Sequence, residues 1–234
     1  SILALCAAKE AIGNAGLEGS CEGTDTGVVL GIGYGATTTH IATHSTLAAS
    51  GASRLSPFTI PASMPNAASC NLSLEFGLKG PSWTVSTACA SGLDAIGQGM
   101  WLVRNGVVDR ALVGGSEAIV DDMGLGGMAA AKALAKSDDG DSAVLCPFDR
   151  NRSGTAVGEG AAVFVIEAEE VAEARGAPVR GQVCGYGASA DAHHITAPDP
   201  SGGGAEVSMR KALVDCSRQP GDIGAVYAHG TGTP

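Results

Sequence analysis

The sequence predicts an α/β layered fold, and three observations carry that expectation. Short apolar runs rich in β-branched residues alternate with stretches whose apolar residues recur at helical spacing. Hydrophobic residues make up 44% and charged residues 16%, enough for a large core and against disorder. Aromatics are only 4%, while glycine is 35 of 234 residues, about twice its usual share, which suits closely packed backbone layers filled by small side chains.

Taken in order, residues 2–16 read as a helix closed by Gly16, and Thr26 to Ile32 as a buried strand. Residues 36–49 read as a helix rich in Thr and Ala. Ser56-Pro57 and Ile60-Pro61 then break the chain into a loop. Asn66 to Phe76 is a helix, Trp83 to Thr87 a strand, and Ser91 to Val103 an amphipathic helix stopped at Asn105-Gly106. Arg110 to Gly115 is a third strand, and Asp121 to Lys136 is helical in part. Ser137 to Ser142 (SDDGDS) reads as a solvated turn. Ala161 to Glu167 reads as the clearest buried strand, followed by a short helix at Glu169 to Arg175. Val179 to Tyr186 reads as a strand, Gly204 to Cys216 as a helix, and Ala225 to Ala228 as a strand delivering His229. A strand leading into Cys89 and a strand leading into His229 suggest two related halves.

A net charge of −10 argues against general nucleic-acid binding, and charged residues interrupt every apolar run short of a membrane span. No signal peptide is visible in the opening residues. Seven scattered cysteines without a CxxC read as reduced cytoplasmic thiols, not as a disulfide framework or a metal site. The chain starts inside a helical pattern and stops directly after a dense motif, so it is expected to be an internal piece of a longer protein.

Two motifs carry chemistry. In Val85-Ser86-Thr87-Ala88-Cys89-Ala90-Ser91-Gly92 a strand ends, small residues turn, and a helix begins. Cys89 therefore sits near a helix N-terminus, where unpaired N–H groups and the macrodipole favour a thiolate, the reactive form. The bland alternative is a buried structural cysteine, and it is the reading for the other six. In Ala228-His229-Gly230-Thr231-Gly232-Thr233-Pro234 alternating glycines make a special loop that can hold a histidine and two hydroxyls towards a ligand. Alone it would pass for a strand-end turn; paired with the cysteine turn it is informative.

At these motifs the chain resembles type II β-ketoacyl-acyl-carrier-protein synthases of fatty acid and polyketide synthesis. Matching stretches run in family order through Ser56-Pro57-Phe58, Phe76 to Pro81, Val85 to Asp94, Val113 to Glu117, Pro147 to Arg150, Gly158 to Ala161 and Ala228 to Pro234. The resemblance implies a thiolase-like layered fold of two similar halves, the first nearly complete over residues 1–177 and the second begun over 178–234. It implies that Cys89 carries the growing acyl chain as a thioester, its own N–H contributing to the oxyanion hole. His229 would promote decarboxylation of the malonyl extender and stabilise the enolate. Thr231 and Thr233 would contact the phosphopantetheine arm. Lys132 and Met128 fall where the family meets its acidic carrier protein, and His40 where a side chain gates the acyl pocket.

The implied partners are an acyl carrier protein and a second copy or sister subunit. No nucleic acid, membrane, metal or bound cofactor is implied, because the phosphopantetheine arrives on the carrier. The family's second histidine, its lysine and a late Gly-rich loop fall beyond Pro234, so these residues alone are not expected to complete a condensation.

Three rival functions compete with this reading. Thiolases lack HGTGTP, chain-length partner subunits typically replace the cysteine, and a truncated, inactive folding unit remains a third reading for the chain itself. VSTACASGLD leans towards polyketide subunits and AHGTGTP towards fatty-acid-type or polyene enzymes. Other signals read as structural: the GxGxG at Gly31, Gly33 and Gly35, the His40/His44 pair, the adjacent His193 and His194, and SDDGDS.

Overall fold

The computed structural model describes residues 1–136 and 145–234, so the SDDGDS turn lies outside the described residues. The chain opens with α1 (Ile2–Asn14), then the central strand β1 (Gly27–Gly31). Next come α2 (Thr37–Ser50), α3 (Thr59–Ser63) and α4 (Ala67–Glu75). β2 (Ser82–Val85) leads into α5 (Ser91–Arg104), and β3 (Arg110–Glu117) into α6 (Asp122–Ala130). β4 (Gly160–Glu167), α7 (Glu169–Ala174) and α8 (Gly203–Asp215) follow.

The strands form one sheet in the order β2-β1-β3-β4, parallel across β1 with both neighbours and antiparallel between β3 and β4. Every residue of β1 is buried, as in a strand covered on both faces. Alternation splits the core into two clusters. Val28, Leu30 and Leu112 point to one face and meet Ala4, Ala8 and Ile12 of α1 with Ala68 and Leu72 of α4. Val29, Ala111 and Val113 point to the other and meet Ala95 of α5. β1 has a parallel neighbour on each side, and the connections to β2 (through α4) and on to β3 (through α5) pack on opposite faces of the sheet. Open α/β sheets place their ligand sites at the carboxyl ends of strands where the order switches in this way.

Four expectations need correction. β4 is not fully buried: it is an edge strand, its burial alternates, and Phe164 is 53% exposed. Val179 to Tyr186 forms no strand. It finds no ladder partner in the sheet and is held by side chains instead, the Arg104 guanidinium donating to the Cys184 carbonyl at 2.8 Å. Ala225 to Ala228 also forms no strand, with Tyr227 fully exposed, so His229 is not delivered by one. The loop read at Ile60-Pro61 contains α3. Pro61 fits because it lies in the first turn, where its missing N–H would have no helical acceptor.

Candidate active site

Residues 86–90 reverse the chain between β2 and α5. Ala88 adopts φ 52, a left-handed conformation that costs a non-glycine residue about 1 kcal/mol. The Ser91 hydroxyl holds the turn from inside. It accepts from the Thr87 N–H at 2.9 Å and donates to the Ala88 carbonyl at 2.6 Å, and Ser91 is 3% exposed. Cys89 is exposed, immediately ahead of Ala90, the N-cap of α5. The helix starts hard against β1: a Cβ on Gly31 would lie 2.2 Å from the Ser91 carbonyl atoms. The helix N-terminus is thus pressed onto the carboxyl end of the sheet, with the exposed thiol just ahead of it.

The end of β3 braces the neighbouring loop. Glu117 accepts the N–H groups of Gly33 (2.9 Å), Tyr34 (2.6 Å) and Gly35 (3.2 Å). The amides of the GxGxG segment are therefore occupied by the protein's own carboxylate instead of facing a phosphate. Asp121 caps α6, accepting from the Gly124 N–H at 2.8 Å, and takes the Thr37 hydroxyl at 2.8 Å. The Gly124 amide and then the Thr37 hydroxyl hold the Asp121 carboxyl below the usual carboxylate range.

His229 is exposed and lies in a loop tied to the segment that follows residue 145. The Gly154 N–H donates to the Gly232 carbonyl at 2.9 Å, and Arg152 Nε donates to the Thr233 carbonyl at 2.9 Å. The Thr231 and Thr233 hydroxyls are 2.8 Å apart, so the structure brings these two together. Phe148 adopts φ 68, is 78% exposed, and lays its ring beside Gly230. Among the described residues no hydrogen bond joins this loop to the Cys89 turn; each motif is anchored separately.

His40 is exposed on α2, as is His44 one turn on. Met128 is half-buried near the end of α6, and Lys132 is exposed just beyond it. Lys132 closes the helix in the left-handed region (φ 55), with the Ala133 N–H reaching back to the Met128 carbonyl at 3.0 Å. Glycine is favoured at that closing position. Lys132→Gly is expected to raise stability by about 1 kcal/mol, read as a higher denaturation midpoint in urea.

Asp94, Glu117, Ser91 and Tyr186 escaped recognition as site residues in the sequence. Asp94 and Glu117 lie inside motifs already singled out, which was the available signal. Their contacts span 92 and 84 residues and have no local pattern.

Two family models match the chain in order. One is described as β-ketoacyl synthase, N-terminal domain, over residues 1–172, and the other as β-ketoacyl synthase, C-terminal domain, over residues 180–234. The chain is 40% identical over 232 residues to a 3-oxoacyl-[acyl-carrier-protein] synthase 2 of Staphylococcus aureus, covering 99% of this chain and 56% of that protein. It is 38% identical to the protein of the same name from Synechocystis, with the same coverage. Among solved structures, a ketosynthase in complex with its type II polyketide acyl-carrier protein, bound to the hexaketide, superposes with a TM-score of 0.90 at 27% identity. That match covers 99% of this chain and 59% of the other. The ishigamide ketosynthase/chain length factor superposes with a TM-score of 0.88 at 33% identity, covering 99% and 56%. The chain thus spans a little over half the length of the proteins it matches.

Proposed function

The chain belongs to the β-ketoacyl synthase family, and from that premise we propose that its parent protein is a 3-oxoacyl-acyl-carrier-protein synthase with Cys89 as acyl-carrying nucleophile. The observation that carries this reading is the exposed Cys89 thiol at a strand–turn–helix junction on the carboxyl end of the sheet. A helix N-terminus there favours negative charge on the oxyanion of an attacked carbonyl.

In this reading the Cys89 sulfur attacks the acyl thioester on the carrier. The new C–S bond forms, the bond to phosphopantetheine breaks, and the thiol proton leaves with the released arm. Malonyl-carrier then binds, its arm taken by the paired hydroxyls of Thr231 and Thr233. Its C–C bond to the carboxylate breaks, carbon dioxide leaves, and His229 stabilises the enolate oxygen. The enolate carbon attacks the acyl-Cys89 carbonyl, a C–C bond forms, and the Cys89 thiolate departs. Acids, bases and a nucleophile suffice for every step, so no resident cofactor is invoked.

The carrier protein meets Lys132 and Met128 at the end of α6, and the acyl pocket runs towards His40. β2 lies at an edge of the sheet, which supports assembly with a second copy or a sister subunit. The protein works in the cytoplasm.

The test is a product assay on the full-length gene product with acyl- and malonyl-loaded carrier. A 3-oxoacyl product and carbon dioxide in equal amounts are expected; hydrolysis without C–C bond formation sinks the reading. His229→Ala is expected to cut carbon dioxide release at least about a hundredfold, while acyl loading of Cys89 persists.

A further inference from the structure

Tyr186 is fixed on several sides. Its ring covers Gly97 of α5, where a Cβ would lie 2.3 Å from ring carbons, and it meets Trp101 edge-to-face with centroids 5.1 Å apart. Its N–H donates to the Asp215 carboxylate at 2.9 Å, and Asp215 pairs with Arg104 at 2.8 Å. Its hydroxyl donates to Asp94 Oδ1 at 2.5 Å. The other oxygen of the same carboxylate accepts the Thr87 hydroxyl. Thr87 begins the Cys89 turn: its N–H donates to Ser91 and its carbonyl accepts from Ala90. One carboxylate therefore joins the nucleophile turn, in the segment matched by the N-terminal family model, to an aromatic anchor in the segment matched by the C-terminal one.

We infer that Asp94 is a positioning residue. Through Thr87 on one oxygen and Tyr186 on the other, it holds the Cys89 turn in its reactive shape, so that the thiol's reactivity depends on the docking of residues 180–187 onto α5. This rests on the reading of Cys89 as the nucleophile and adds what sets its geometry.

Simpler packing roles do not account for the arrangement. The ring of Tyr186 alone would cover Gly97 and Trp101, as a phenylalanine would. Among the described residues the hydroxyl hydrogen-bonds Asp94 alone, and the Asp94 side chain hydrogen-bonds only Thr87 of the turn and the tyrosine. Burial, then the Asp94 hydrogen bond and charge, push the Tyr186 hydroxyl up to about 12, so it stays a donor across the working pH range. Asp94 also lies in the first turn of α5, where its charge suits the helix dipole. A shift of about 1 Å at a nucleophile is enough to slow transfer severely.

The experiment uses the full-length gene product and the variants Tyr186→Phe and Asp94→Asn. Iodoacetamide alkylation is followed peptide by peptide, with exposed Cys6 and Cys70, both outside the 180–187 segment, as internal references. Acyl transfer from a loaded carrier is followed alongside, with Cys89→Ala as control. Both variants are expected to slow alkylation and acylation at Cys89 by about tenfold, with the reference thiols unchanged and the effect in kcat instead of KM. Combining them should be no worse than Asp94→Asn alone, because both act through one path. Tyr186→Phe keeps the ring packing, so it decides the matter even where Asp94→Asn fails to fold. Wild-type rates at Cys89 in Tyr186→Phe overturn the positioning role. Acyl label that survives in Cys89→Ala overturns the nucleophile reading itself.

Discussion

Replacing Cys89 with alanine is expected to lower condensation by at least about a thousandfold, the scale on which nucleophile deletions act, and to leave carbon dioxide release from malonyl-carrier largely intact. The split follows from the separate anchoring of the two motifs. The Cys89 turn is held by Ser91 and Asp94, while the His229 loop is held by Gly154 and Arg152. Removing one sulfur atom from an exposed position leaves Gly31, Ser91 and the start of α5 untouched. The variant should therefore melt within a degree or two of wild type, and its loss belongs to chemistry, not folding. Radiometric carbon dioxide release and product formation, measured on the same sample, check both halves of the expectation. Equal loss of both would mean that the two motifs act as one unit.

The second large effect is structural. Gly31→Ala places a methyl group 2.2 Å from the Ser91 carbonyl carbon and oxygen and 2.4 Å from the Gly92 nitrogen. These are backbone atoms at the start of a helix, with no flexible side-chain end to swing aside. Over-packing normally costs about 1–3 kcal/mol when side chains can adjust, and here the cost is expected at or above the top of that range. The strand cannot yield either, because Gly31 pairs with Val85 on one side and Gly115 on the other. Relief comes from lifting the α5 N-terminus, which carries the Cys89 turn away from the sheet. Urea denaturation should show the lost stability, and alkylation at Cys89 should change more than at Cys6. Gly126→Ala is the control: its Cβ meets nothing within 4 Å, and it lies inside α6, where alanine is the better helix former. A Gly31→Ala protein as stable as that control contradicts the packing account.

Much of the architecture was legible because periodicity reports which face of an element is buried. β1, β3, α1 and α5 were readable for that reason. The same signal misread Val179–Tyr186 and Ala225–Ala228 as strands. Their apolar residues mark a surface that needs covering, but a strand also needs a neighbour to complete its ladder. For β4 the pattern misleads in the opposite sense: an apolar run does not say whether one face or two are covered. Cys89 was legible because strand, small-residue turn and helix are local. The Glu117 brace and the Asp94–Tyr186 link were not, since folding alone joins residues 84 and 92 positions apart. Thr231 and Thr233 were legible as a pair, while the contact of Phe148 with Gly230 needed the fold.

Peptide-level mass spectrometry of the full-length gene product, after incubation with acyl-loaded carrier protein, tests the central claim most directly. Four of the cysteines, Cys6, Cys70, Cys89 and Cys184, are exposed, so accessibility alone does not choose among them. A single acyl group on the Cys89 peptide, discharged when malonyl-carrier is added, is the result predicted. Acyl label on another cysteine, or product formed with none on Cys89, would contradict it.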